Sequence, residues 1–214
     1  MTFGKSNGSW SLRLSALFLI WLFMPAPAPM SVAQPQTEIE AGSTGWNVEQ
    51  LIESLARNRQ AEVRFEETAF SNLLTHPLKT KGILRFAPPT GLEKHITAPY
   101  DERYLVEGDT VRFESKTKGT NRTLSLHDYP ALRAFIEAFR STLANDVITL
   151  RRFYHVTLQG EPRRWMLILR PLDTSVQELA ETIRFSGERE QIHRIEIFAP
   201  DGDRSVMVIT TGPP

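Results

Sequence analysis

Residues 81–114 read KGILRFAPPTGLEKHITAPYDERYLVEGDTVRFE, and the alternation of β-rich runs with turn residues in this stretch decides the fold. The run 82–86 predicts a strand that Pro88-Pro89-Thr90-Gly91 ends. The run 92–97 predicts a second, ended by Ala98-Pro99-Tyr100-Asp101. A third, 103–107, reverses at Gly108-Asp109 into a fourth, 110–114. Two central residues that tolerate positive φ, flanked by alternating apolar runs, are a strong hairpin signal. Proline cannot donate to a ladder, so each proline belongs between strands rather than inside one. The stretch is a β-meander.

Upstream, Asn47 is placed to cap a helix that carries Val48, Leu51, Ile52 and Leu55 on one face, an i, i+3, i+4, i+7 spacing. From Ala61 the period becomes two, with Val63, Phe65 and Ala69 on one side and Glu62, Arg64 and Glu66 on the other. Such a sheet buries one face and solvates the other. Downstream, a strand near 122–126 ends at His127-Asp128. A second helix follows, with Asp128 expected as its N-cap and Pro130 in its first turn. Tyr129, Leu132, Phe135, Ile136, Phe139 and Leu143 recur along it at helical spacing. The segment 147–158 reads as one long strand with its turn at 159–162. The run 165–170 is apolar on both faces, as in a central strand. Further strands are expected at 183–185, 192–199 and 204–210, with one helical turn possible within 171–180. The total is ten or eleven strands and two main helices. Every legible strand-to-strand link is hairpin-length, so the fold class is mainly β: an antiparallel sheet curved into a closed or incomplete barrel.

Of the 214 residues, 41% are hydrophobic, enough for one sizeable core. Residues 1–33 are set apart: Lys5 and Arg13 precede the apolar run 14–24, and Ser31-Val32-Ala33 supplies small residues. That is the pattern of a secretory leader cleaved between Ala33 and Gln34, with an apolar run too short to span a bilayer. Residues 34–45 read as a flexible mature N-terminus, and 46–214 as one domain. The chain has no cysteine, so neither a disulfide nor a lipid-modified cysteine is expected in an exported, soluble, monomeric product. Acidic and basic residues balance, and losing Lys5 and Arg13 leaves the mature chain slightly acidic. This argues against nucleic acid and against strong electrostatic membrane binding.

Nothing in the sequence demands an enzyme. His76, His95, His127, His155 and His193 lack metal-ligand spacing, and no nucleophile elbow, phosphate loop or dinucleotide fingerprint occurs. No catalytic residue, metal or cofactor is expected. His127-Asp128 reads as a capped helix start beside a surface histidine. Glu62, Glu66, Glu67, Glu93, Glu102, Glu107 and Glu114 alternate with Arg64, Arg85, Lys94, Arg103 and Arg112, as on the charged outer face of a sheet. A curved sheet with an apolar-striped helix suits a cavity for an apolar ligand. The stripe residues Leu132, Phe135, Ile136, Phe139 and Leu143 are its expected lining. The strand residues Phe65, Leu84, Phe86 and Trp165 are expected to complete it.

A run of motifs resembles the periplasmic lipoprotein-carrier (LolA-like) family. It comprises Gly82-Ile83-Leu84-Arg85-Phe86, Pro89, Leu92-Glu93-Lys94, Pro99 and Leu105-Val106-Glu107-Gly108-Asp109-Thr110-Val111. Leu126-His127-Asp128-Tyr129-Pro130, Arg152-Phe153-Tyr154 and Asp203-Arg204-Ser205-Val206-Met207 resemble a subgroup associated with aryl-polyene or xanthomonadin-type pigment clusters. The resemblance implies an incomplete eleven-stranded β-barrel with helices lidding its open face. It also implies a periplasmic carrier of lipoprotein or another acylated cargo, with an inner-membrane donor and an outer-membrane acceptor as partners. The well-studied carriers hold the lid with an arginine immediately before the proline that follows the first strand of the motif. Ala87 or Pro88 stands there, and neither side chain can donate a hydrogen bond. The expectation is a dedicated lipidic cargo. A different reading, a lipid-sensing or scaffold protein like the RseB-type relatives of this fold, would need no transport role.

Overall fold

The computed structural model describes residues 46–58 and 61–210; the expected leader 1–33 and polar stretch 34–45 lie outside the described residues. Helix α1 (Val48–Asn58) starts as expected. The Asn47 side chain accepts from the Gln50 N–H at 2.9 Å, and the Gln50 side chain accepts in return from the Asn47 N–H. This reciprocal capping box satisfies two backbone donors that the helix cannot. Val48, Leu51, Ile52 and Leu55 are buried, so the helix presents its periodic face to the core.

Six strands follow as a meander: β1 (Glu62–Phe70), β2 (Leu78–Ala87), β3 (Gly91–Ala98), β4 (Glu102–Glu107), β5 (Thr110–Ser115) and β6 (Thr120–Ser125). The β4–β5 hairpin closes from Glu107 to Thr110 through Gly108, whose φ of 54° is one that glycine adopts at no steric cost. After the helices come β7 (Tyr154–Glu161), β8 (Arg164–Pro171), β9 (Thr182–Glu188), β10 (Gln191–Phe198) and β11 (Arg204–Thr210). All eleven belong to one antiparallel sheet, ordered β6-β5-β4-β3-β2-β1-β11-β10-β9-β8-β7. The sheet is open. Its edges, β6 and β7, are consecutive in sequence, and the segment between them contains a 3₁₀ turn and two of the helices. The two meanders join where β1 pairs with β11, Phe65 opposite Ile209.

Four expectations are corrected. Residues 147–158 are not one strand: α3 (Val147–Phe153) precedes β7. Val147, Ile148 and Thr149 favour strand by propensity, but Asp146 caps the Thr149 N–H at 2.9 Å and Leu150 is wholly buried. Capping and packing override propensity in so short a segment. We expect Asp146→Ala to lower stability by about 1 kcal/mol, as measured by urea unfolding. Secondly, Asp128 does not cap α2 (Pro130–Ala144). It closes a 3₁₀ turn, Leu126–Asp128, so Tyr129 occupies the cap position without a side-chain bond, and Pro130 starts the helix. Thirdly, β7 runs on through Gly160, which stands opposite Trp165. Gly187 flanks Trp165 on the other side, where a Cβ would meet the indole. Gly187 therefore makes room for the large ring, whose Nε1 donates to the Arg189 carbonyl at 2.8 Å, whereas Gly160 has a φ of 88° and a Cβ there would meet the Arg164 carbonyl. Lastly, β8 is second from the edge rather than central. A single turn, α4 (Thr174–Gln177), lies within the 171–180 connector.

Candidate functional site

Strand register assigns each side chain to a face. Residues directly opposed across an antiparallel ladder point the same way. Phe65 lies opposite Gly82 and Ile209, and Glu67 lies opposite Thr80 and Met207. Extending this parity puts Leu84, Phe86, Lys94, Ile96, Glu102, Tyr104, Phe113 and Trp165 on the same, concave side. Over β8 to β10 that side is closed: Leu167, Leu169, Ile183, Phe185, Ile195 and Ile197 are all buried. Phe139 of α2 packs edge-on against Phe185 at 5.4 Å and lies 5.5 Å from Phe135. Over β1 to β6 the cover is less complete. Val63, Leu84, Leu92, Phe113 and Leu124 face inward yet remain only half-buried. Apolar side chains left part-accessible on a concave face form the candidate site.

The expected lining residues divide between these two regions. Leu132, Phe135 and Ile136 are buried on α2, while Phe139 and Leu143 are half-buried. Phe65 and Phe86 are buried in the less covered half, beside the half-buried Leu84. Trp165 is buried in the other half of the sheet, beside Gly187 and bonded to the Arg189 carbonyl.

Sequence reasoning missed the polar residues of this face. Lys94, Glu67 and Glu102 do not lie on the charged outer face but point inward. The Lys94 ammonium sits 2.6 Å from Glu67 Oε2, with side-chain exposures of 7% and 10%. Ser205 donates to the other carboxylate oxygen, and Thr80 donates to Oε2 at 3.3 Å. The same ammonium stands 5.3 Å above the Phe65 ring. Burial pushes the Glu67 carboxyl up, but the Lys94 charge and the bonds from Lys94, Ser205 and Thr80 outweigh it and hold the group below its ordinary value. Glu102 is likewise buried, 2.9 Å from Lys118 and bonded by Tyr104 and Ser115. The signal was available in β1: Glu67 shares the odd parity of Phe65 and Ala69. The outer face does carry the expected cross-strand pairs, with Arg85 bridging Glu62 at 2.7 Å and Glu93 at 3.0 Å, and Arg103 reaching Glu93 at 3.0 Å.

A second missed residue is Arg140. It is one turn beyond Ile136, on the apolar stripe of α2, and it is buried. Its Nε donates to the Thr90 carbonyl in the β2–β3 turn at 2.8 Å, and its Nη2 donates to the Gly108 carbonyl in the β4–β5 turn. Nη1 lies 3.2 Å from Glu137. Arg140 thus ties α2 to two turns of the sheet. Tyr154 adds a second tie, donating from its phenol to the Ala134 carbonyl at 2.9 Å. Burial, then the Glu137 carboxylate, pushes that phenol up.

Among the described residues, no helix is long and apolar enough to cross a membrane, and no three His, Asp or Glu side chains gather as metal ligands would. Several solved structures are similar to this chain. A LolA superfamily protein from Nitrosomonas europaea is 11% identical over 78% of this chain and 94% of its own, with a TM-score of 0.42. A putative outer membrane lipoprotein-sorting protein domain from Vibrio parahaemolyticus is 8% identical over 77% and 92%, with a TM-score of 0.41. The Pseudomonas aeruginosa MucA/MucB complex matches at 12% identity over 78% and 58%, with a TM-score of 0.39. No curated protein matches the sequence. The family model for outer membrane lipoprotein carrier proteins of the LolA-like type matches residues 40–212. With that match spanning most of its length, the chain belongs to the LolA-like family.

Proposed function

We propose that this protein carries an acylated or otherwise strongly apolar cargo across the periplasm, from the inner towards the outer membrane. The observation that carries the reading is the less covered half of the concave face, where Val63, Leu84, Leu92, Phe113 and Leu124 are half-buried near the turns to which Arg140 ties α2. Membership of a lipoprotein-carrier family supports it. The α2 stripe and the strand residues Phe65, Leu84 and Phe86 form the lining, with Trp165 bracing the closed half. Each buried methylene contributes about 0.8 kcal/mol, so a chain of about twelve carbons could supply about 10 kcal/mol before ordering costs. Removal of residues 1–33 releases the carrier, monomeric, to pass its load from a membrane donor to an outer-membrane acceptor. The motif resemblance favours a dedicated cargo, a polyene ester or its acylated carrier. Mislocalisation of bulk lipoproteins with intact pigment transport, on deleting the gene, would sink that choice of cargo.

Native mass spectrometry of the mature protein from its own periplasm tests carriage directly. We expect a bound mass, removed by organic solvent, that corresponds to a lipid, polyene or acylated protein. An empty protein that also takes up no fluorescent fatty-acid probe would mean that the apolar face is core only.

A further inference from the structure

One row of the concave face changes character as it crosses the sheet. Lys94 stands opposite Tyr104, Tyr104 opposite Phe113, and Phe113 opposite Arg122 on the edge strand β6. Directly opposed residues share a face, so Arg122 points to the same side as the two aromatic rings. Those rings lie 4.9 Å apart, Tyr104 buried and Phe113 half-buried, while Arg122 is exposed. An apolar floor therefore ends in a cation at the rim.

That cation has no hydrogen bond or ion pair among the described residues. The outer-face arginines Arg85 and Arg103 are both paired with glutamates. The concave carboxylates are committed elsewhere: Glu67 to Lys94, and Glu102 to Lys118. Along β6 the concave neighbours of Arg122 are Thr120 and Leu124, neither of which supplies a negative charge. A guanidinium in this position matches the fork of a carboxylate or phosphate oxygen pair.

We propose that Arg122 receives the anionic head group of a single-chain amphiphile, carboxylate or phosphate, whose tail lies along Phe113 and Tyr104. The inference rests on the carrier reading and adds a direction to it, tail inward and head at the β6 edge. Because the site is exposed, the preference is modest and weakens with salt.

Displacement of a fluorescent apolar probe from the mature protein, by dodecanoate, dodecyl phosphate, methyl dodecanoate and dodecanol, tests it at low salt. At least one anionic ligand is expected to bind about fivefold more tightly than the ester, and the two anions tell carboxylate from phosphate. Arg122→Gln should abolish the preference and leave the neutral ligands unaffected. Arg112→Gln, exposed on the opposite face of the neighbouring strand, should change nothing. Equal affinities in the wild type, or a preference that survives Arg122→Gln, overturn the proposal while the carrier reading stands. Self-association of Arg122→Gln with the acid preference intact also overturns it, making Arg122 a guard against edge pairing. If none of the four ligands displaces the probe, the carrier reading fails and this inference fails with it.

Discussion

Lys94→Met is expected to cost about 3–5 kcal/mol at neutral pH, because it leaves Glu67 charged and buried without its cation. The pH dependence should reverse as well. In the wild type the Glu67 carboxyl is held below its ordinary value of 4.5. Its contribution is fully present above that value and is lost as pH falls through the folded-state pKa. Without Lys94, burial is the largest remaining influence, and it pushes the carboxyl above 4.5. The folded state then binds the proton more readily than the unfolded chain, so the variant gains stability on acidification from neutrality towards 4.5. Urea unfolding at several pH values reads both effects. Glu67→Gln in the Lys94→Met background should recover most of the loss, since the amide carries no charge to bury, its oxygen accepts from one of the Ser205 and Thr80 hydroxyls and its NH2 donates to the other. A loss below about 1 kcal/mol with an unchanged pH slope would refute this account of the buried pair.

Arg140→Gln should have the next largest effect, about 2–4 kcal/mol, because one side chain ties α2 to two separate turns. The more informative consequence is local. Hydrogen exchange across residues 130–144 should accelerate relative to β8 and β9, and probe uptake should quicken. Arg140→Lys keeps the charge but cannot span both carbonyls with one planar fork, so it should fall between wild type and Arg140→Gln. Unchanged protection of α2 in Arg140→Gln would show that Tyr154 and the Phe139–Phe185 contact hold the helix without the arginine.

The largest sequence-level misreadings fall where long-range packing decides. Val147-Ile148-Thr149 has strand-like side chains, and only the burial of Leu150 with the Asp146 cap turns it into a helix. Glu67 and Lys94 look like members of an outer charged ladder until register shows both on the concave side. Arg140 interrupts an apolar stripe at helical spacing, a visible oddity whose partners, Thr90 and Gly108, lie 50 and 32 residues away.

By itself the sequence determined the local elements: the N-cap at Asn47, the hairpin at Gly108-Asp109, the proline breaks, and the period-two face of β1. These follow from backbone sterics, capping and alternation within a few residues, so they can be read without knowing what lies opposite. Tertiary structure alone decided that β1 pairs with β11, leaving β6 and β7 as the sheet's two edges, joined in sequence through α2 and α3. It also decided which inward residues are covered and which charges meet. Strands more than a hundred residues apart carry no local mark of their partner; which pair forms depends on how much apolar surface the whole arrangement buries.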